Sequence, residues 1–155
     1  MKDIQLINIG GGYWEPSIGV NDVETVEGFE TAIIVSIFTN ARADESEISD
    51  PLRRGGWWGN VLNPSEYELG SRNWMLEREK MTNRVTRDFQ RYTTRCLNWL
   101  LQQQIINALN VGVKPDIKTQ QYNIGVLLSG RNGQQGYAYN WSKTDAGKIT
   151  KNIRD

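Results

Sequence analysis

The sequence predicts an α+β domain: a short N-terminal strand region, two to three helices, and a C-terminal antiparallel sheet on which the longest helix, about 84–110, packs. Three observations predict it. Val85, Phe89, Tyr92, Cys96, Trp99, Gln103 and Ile106 recur at spacings of 4, 3, 4, 3, 4 and 3, a seam of helical period. Ile124, Val126 and Leu128 instead alternate with Gly125 and Leu127, the period of a strand. Asn132-Gly133, two residues that accept positive φ, then marks a hairpin turn.

Taken in order, Ile4, Leu6, Ile7 and Ile9 read as a short strand that ends at Gly10-Gly11-Gly12. Tyr13-Trp14-Glu15-Pro16 reads as an irregular or edge segment, because proline donates nothing to a ladder. Val20 to Val26 is a polar extended approach. A first helix is expected at about 27–42: Phe29, Ile33 and Ile37 make one row, Ile34 and Phe38 a second, so it is buried on several sides. Gly28 is a mild cost near its start. Residues 43–52 form an acidic loop, and Arg53-Arg54-Gly55-Gly56-Trp57-Trp58-Gly59-Asn60 fits no period. Adjacent indoles in an extended segment point to opposite sides, so one plugs the domain while the other meets a partner.

A second helix is expected from Ser71, a fitting N-cap, to about Met81, with Trp74, Arg78 and Met81 on one face. The long helix stops at Gly112 and Pro115. With Asn132-Gly133 as turn centre, Leu128 faces Tyr137, Val126 faces Tyr139 and Ile124 faces Trp141. The chain reads as one domain over 1–141 with a polar tail over 142–155.

The length of 155 residues allows a self-sufficient core. Eighteen basic residues balance eighteen acidic ones, which argues against non-specific nucleic-acid binding. Near-zero net charge also gives weak colloidal protection, which suits a protein that lives inside an assembly. Histidine is absent and Cys96 is the single cysteine. Ser-His-Asp triads, Cys-His pairs, internal disulfides and His- or Cys-based metal sites are excluded. No apolar run approaches the roughly 18 residues of a membrane span. The N-terminus lacks a signal-peptide pattern, so the expected place of synthesis is a cytoplasm without export by the general route.

Each remaining candidate has a plain structural reading. Cys96 lies within the helical seam and reads as a small core residue. Glu15, Glu66, Glu68, Glu77 and Glu79 are the acids from which a glycoside-hydrolysing pair would be drawn, yet no spacing selects a pair. Gly10-Gly11-Gly12 lacks the pattern of a phosphate-binding loop. Arg and Trp are the commonest interface anchors, so Arg53, Arg54, Trp57 and Trp58 point to a protein interface as readily as to core plugging. The edge of the last hairpin is a template for another chain's strand.

Gly28-Phe29-Glu30-Thr31-Ala32, Ser36 to Ala43 with Phe38-Thr39-Asn40-Ala41-Arg42-Ala43, Arg53 to Asn60, and Gly70-Ser71-Arg72-Asn73-Trp74-Met75-Leu76 follow one another in an order that resembles the Mu-type phage baseplate family. That family is similar in turn to the T4-type lysozyme-like baseplate wedge and sheath-initiator proteins. The likeness spans nearly the whole chain, with Phe29 for the usual Leu, Asn40 and Asn60 for Asp, and Gly56 inserted before the Trp pair.

The resemblance implies a non-enzymatic structural subunit of a contractile tail, in a phage or a phage-like particle. It would join wedge to tube and initiate the sheath by strand exchange. Implied partners are baseplate wedge and hub proteins, tube and sheath, with multiple copies per baseplate, about six. No cofactor, metal, nucleic acid or membrane is implied, and the location is the virion baseplate after assembly in the host cytoplasm. On this sequence the strand-pairing role falls on residues 117–128 and 134–141, with Ile124, Val126, Leu128, Tyr137, Tyr139 and Trp141. Wedge contacts fall on Arg53, Arg54, Trp57, Trp58, Arg72 and Trp74. The rival readings are a peptidoglycan-hydrolysing tail lysozyme and a small adaptor for one soluble partner.

Overall fold

The computed structural model describes residues 2–10, 13–20, 22–62, 68–131 and 133–142. Among the described residues four strands come first, four α-helices follow and three strands end the order, the segregation of the expected α+β class. The N-terminal strands make two separate ribbons. β1 (Lys2–Ile4) pairs antiparallel with β4 (Thr25–Glu27), and β2 (Leu6–Gly10) pairs with β3 (Tyr13–Pro16). Pro16 closes β3 at its end, where a missing donor costs no ladder bond.

α1 runs Glu30–Phe38, shorter at both ends than the expected 27–42. Gly28 sits at φ 118°, a left-handed conformation outside the helix, and a Cβ there would lie 2.6 Å from the Tyr137 hydroxyl. That hydroxyl accepts a 2.9 Å bond from the Phe29 N–H, which fixes where the helix begins. At the other end the chain turns extended at Thr39 and forms a parallel bridge between Asn40 and Ser71. Ser71 N–H donates to Thr39 O at 2.8 Å and Ala41 N–H to Ser71 O at 2.9 Å. Tertiary pairing thus takes the residues that helical period alone would have kept in α1.

The expected helix from Ser71 to Met81 is a single 3-10 turn, Asn73–Leu76. Its residues are committed elsewhere: Ser71 Oγ donates to Ile37 O at 2.6 Å and Trp74 Nε1 to Ala41 O at 2.9 Å. A second 3-10 turn, Pro51–Arg53, and the short α2 (Gly59–Leu62) flank the Trp pair.

α3 (Asn83–Leu97) starts at Thr82, whose Oγ1 accepts the Val85 N–H at 3.2 Å. After one turn residue, Asn98, α4 (Trp99–Gln102) continues it. The long helix therefore ends near 102, not 110. Gln104 takes φ 56°, Gln104 N–H donates to Leu101 O at 3.0 Å and Ile105 N–H to Leu100 O at 3.0 Å. This is a Schellman cap with glutamine in the position glycine usually holds.

The residues beyond it form β5 (Ala108–Asp116), a strand whose first three residues fall within the expected helix. β5 and β7 (Gly133–Ser142) flank β6 (Gln121–Gly130) in one antiparallel sheet, order β5-β6-β7. The last hairpin thus supplies two strands of a three-stranded sheet. Its register differs from the expected one by two residues: Leu128 pairs with Gln135, Val126 with Tyr137, Ile124 with Tyr139 and Tyr122 with Trp141. Gly130 pairs with Gly133, which closes the hairpin; Asn132 lies outside the described residues. A slip of two keeps every side chain on its expected face.

That face is the core. Tyr122, Ile124, Val126, Leu128, Tyr139 and Trp141 are buried, with Val111 and Val113 from β5, against Val85, Phe89, Cys96 and Leu97 of α3 and Ile33, Ile34 and Ile37 of α1. Phe89 stacks on Tyr122 at 4.8 Å and meets Trp141 edge-on at 5.2 Å. Among the described residues no helix is long and apolar enough to cross a membrane. Of the polar tail, Ser142 belongs to β7 and the rest lies outside the described residues.

Candidate protein interface

Three features adjoin this core: a buried ionic hub, an exposed aromatic loop and an open sheet edge. The hub centres on Arg72, whose side chain is 6% exposed. Its guanidinium grips Asp44 with both terminal nitrogens, at 2.6 and 2.9 Å. The same group reaches Glu47 at 3.0 Å and Glu68 at 3.8 Å, and its Nε donates to Arg42 O at 3.1 Å. Tyr92, reaching in from α3, donates its hydroxyl to Glu47 at 3.2 Å. The Asp44 carboxyl is held below its ordinary range, chiefly by the Arg72 hydrogen bond. Burial beside Glu47 pushes the Tyr92 phenol up.

The acidic stretch at 43–52, which reads in sequence as an acidic loop, therefore supplies counter-charge to two arginines: Asp44 and Glu47 to Arg72, and Glu45 to Arg54 at 3.7 Å. Arg42 and Arg54 hold the same loop through backbone carbonyls: Arg42 reaches Gly55 O and Pro51 O, and Arg54 reaches Ile48 O at 2.8 Å and Ser49 O at 3.1 Å. Asn60 clamps Leu69 in both directions, donating to its carbonyl at 2.8 Å and accepting its N–H at 3.1 Å. Aspartate, which lacks the amide donor, would make only one of these bonds.

The candidate wedge residues therefore divide. Arg54, Arg72 and Trp74 face inward and build the loop; Trp74 lies against Gly55, where φ is 60° and a Cβ would sit 3.0 Å from the indole. Arg53, Trp57 and Trp58 face outward. The expected division of labour between the two indoles does not hold: Trp57 is 40% and Trp58 68% exposed, with ring centroids 5.7 Å apart. The inward plug is Trp74. Leu52, Val61 and Leu62 are each at least 74% exposed, so the turn around the indoles presents a largely apolar surface.

The sheet residues also divide by backbone rather than side chain. Ile124, Val126 and Leu128 lie on β6, which is paired on both sides, and their side chains fill the core. No vacant backbone row remains on β6 for another chain. Hydrogen bonding alternates along an antiparallel pair, and the tight Gly130–Gly133 turn sets its phase. Tyr137, Tyr139 and Trp141 accordingly bond back to β6, while Gln134, Gly136, Ala138 and Asn140 turn their N–H and C=O groups outward. The same phase on β5 turns Leu109, Val111, Val113 and Pro115 outward. Gln90 of α3 donates to Val111 O at 2.8 Å, and Pro115 has no N–H to offer. The β5 edge is thus obstructed. Among the described residues no backbone–backbone bond joins Gln134, Gly136, Ala138 or Asn140 to a group outside the sheet.

The enzymatic candidates have definite surroundings. Cys96 is buried, its thiol donates to Thr93 O at 3.1 Å, and burial raises its pKa, so it stays protonated. Glu77 lines an open groove of about 930 Å³ with Glu79 and Asp88, and burial raises its carboxyl. Glu79 and Asp88 both neighbour Arg84, at 3.4 and 3.6 Å. Glu15 is exposed, Glu68 belongs to the hub and Glu66 lies outside the described residues.

Sequence reasoning missed β5 and the hub's acids. Leu109, Val111 and Val113 carry a period-2 signal for the strand. The partnership of Asp44 and Glu47 with a residue 25 or more positions away has no local signal.

The family described as Phage protein GP46 matches residues 29–135, which omits the N-terminal ribbons. The Mu-like prophage FluMu protein gp46 of Haemophilus influenzae is 28% identical over 127 residues, 81% of this chain and 87% of the relative. The baseplate protein gp46 of Escherichia phage Mu is 34% identical over 94 residues, 58% of this chain and 62% of the relative. With its hub, its Trp loop and the first two strands of its sheet inside the matched span, the chain belongs to the phage protein GP46 family, the Mu-type baseplate group that its motifs resemble.

Proposed function

We propose that this protein is a structural, non-enzymatic subunit of a phage tail baseplate, joining wedge components to the tube and initiating the sheath by main-chain strand pairing. The relative named as a Mu baseplate protein supports the location. The observation that carries the mechanism is the asymmetry of the sheet: β5 is obstructed by Gln90 and Pro115, while β7 offers an unpaired row. Pairing of this kind depends little on side-chain identity, so it tethers subunits while leaving their faces free to move. Trp57, Trp58 and Arg53 supply the wedge contact, and the buried hub holds their loop in shape.

The strand-pairing role thus rests on the outward backbone of Gln134, Gly136, Ala138 and Asn140. Ile124, Val126, Leu128, Tyr137, Tyr139 and Trp141 shape the sheet from its core face. Ala138→Pro removes one outward N–H without touching the β6 ladder. In particles from a host supplying only this variant, the protein is expected in the baseplate, folded, with no sheath above it. Sheath of normal length on folded Ala138→Pro would remove β7 from the mechanism. Absence of the wild-type chain from purified tails would remove the baseplate role itself.

A second reading, peptidoglycan hydrolysis, draws on one observation: the raised carboxyl of Glu77 in an open groove with other acids. It requires wall-clearing activity in the purified protein that Glu77→Gln abolishes.

A further inference from the structure

The outward face of α3 carries Arg87, Arg91 and Arg95 in one i, i+4 row, all exposed. Cα atoms four residues apart on a helix rise about 6 Å, so the row spans about 12 Å. With Gln90, Thr94 and Asn98 they line an open groove of about 530 Å³. Like charges at this spacing repel and weaken a helix slightly, so the row is a local cost that α3 carries. Little inside the chain offsets it. Arg91 meets Asp88 at 3.1 Å and lies 5.2 Å from the Tyr92 ring centre. Asp88 is shared with Arg84, itself beside Glu79. Arg95 feels Asp44 at longer range, and Arg87 and Arg95 have no ion-pair partner among the described residues. Thr94 and Gln90 are occupied, donating to Gln90 O and Val111 O, both at 2.8 Å.

We infer that this row is a docking surface for an acidic segment of another protein, distinct from both the Trp loop and the β7 edge. The partner's chemistry follows from the geometry. Three guanidinium forks at about 6 Å intervals match carboxylates on one face of a helix or on alternate positions of a strand. Charge is the recognition element, because the groove holds no apolar anchor. The balanced net charge of the whole chain disfavours a polyanionic nucleic acid, whose long-range field would be met by as many acids as bases. This inference stands on the α3 surface alone and does not depend on a baseplate location.

The test is a fluorescence-anisotropy titration of the full chain, at about 50 mM salt where surface charge is weakly screened. The probes are a helical peptide with Glu at every fourth position, its Gln analogue, and duplex DNA of similar length. The Glu peptide is expected to bind, and Arg87→Gln with Arg95→Gln is expected to weaken it about tenfold or more. Both side chains are exposed and unpaired and their mutual repulsion is relieved, so the melting transition should be no lower than the parent's. Arg78→Gln with Lys80→Gln, exposed cations outside the α3 row, should bind like the parent. Failure of the Glu peptide to bind, equal binding by the Arg87/Arg95 variant, equal binding of the Gln analogue, or DNA binding as tight as the Glu peptide would each overturn the assignment.

Discussion

Arg72 shows how much one side chain decides here. Its guanidinium is almost fully enclosed and is the meeting point of Asp44, Glu47 and Glu68, brought from two separate loops. Arg72→Met leaves those acids without their common cation, and the urea midpoint should report a loss of about 3 kcal/mol. Arg72→Lys keeps a charge but not the two-pronged grip on Asp44, so it should lose less; a midpoint unchanged in both variants would deny the hub its role. Gln104 is the opposite case. It holds φ 56° at an exposed helix cap where glycine carries no steric penalty, so Gln104→Gly should raise stability by about 0.5–1 kcal/mol, read from the same urea curve. Neither residue advertises its role in sequence: one arginine among many and one glutamine in a run of three carry no local mark of burial or of positive φ.

The elements differ in how firmly they are held. α3 and β6 are each covered by other elements, whereas β1–β4 and β2–β3 are two-stranded ribbons that reach the core through few groups. Thr31 Oγ1 donates to Ile4 O, and Ala32 N–H to Asp3 at 3.2 Å; Leu6 and Trp14 add partial packing. Amide exchange should therefore be slowest in α3 and β6 and orders of magnitude faster in the strands β1, β2, β3 and β4. Equal protection throughout would mean that the ribbons unfold only with the core. β6 and β7 also differ in tolerance to proline. Val126→Pro breaks a ladder bonded on both sides and should prevent folding, whereas Ala138→Pro, on the outward side of β7, should cost only about 1–2 kcal/mol by thermal melt. Helix α3 and the alternation in β6 were legible because each has a long apolar period facing one core. β5 was harder to see because Leu109 continues a helical row and Val111 and Val113 begin a strand within the same few residues.

At the scale of the whole molecule, acid stability follows from the hub's charges. The Asp44 carboxyl is depressed in the folded chain from an ordinary value of 3.8. Its contribution is fully present above that ordinary value and is lost as pH falls through the lower folded value. Denaturant midpoints should thus hold steady from neutral pH down to about 5, then drop below about 4. Asp44→Asn should flatten that drop; an unchanged acid limb would place the sensitive carboxylates elsewhere. The sequence by itself determined the class of fold, the faces that form the core, the exclusion of histidine chemistry and the family, because period, composition and ordered motifs are properties of the chain as written. The tertiary structure decided where the helices stop, which sheet edge stays open, and which arginines turn inward. Those outcomes depend on competition between distant groups: Ser71 against the end of α1, Gln90 and Pro115 against the edge of β5, and three acids converging on Arg72. No local pattern encodes the winner of such a contest, because the energies that settle it arise only once the segments meet.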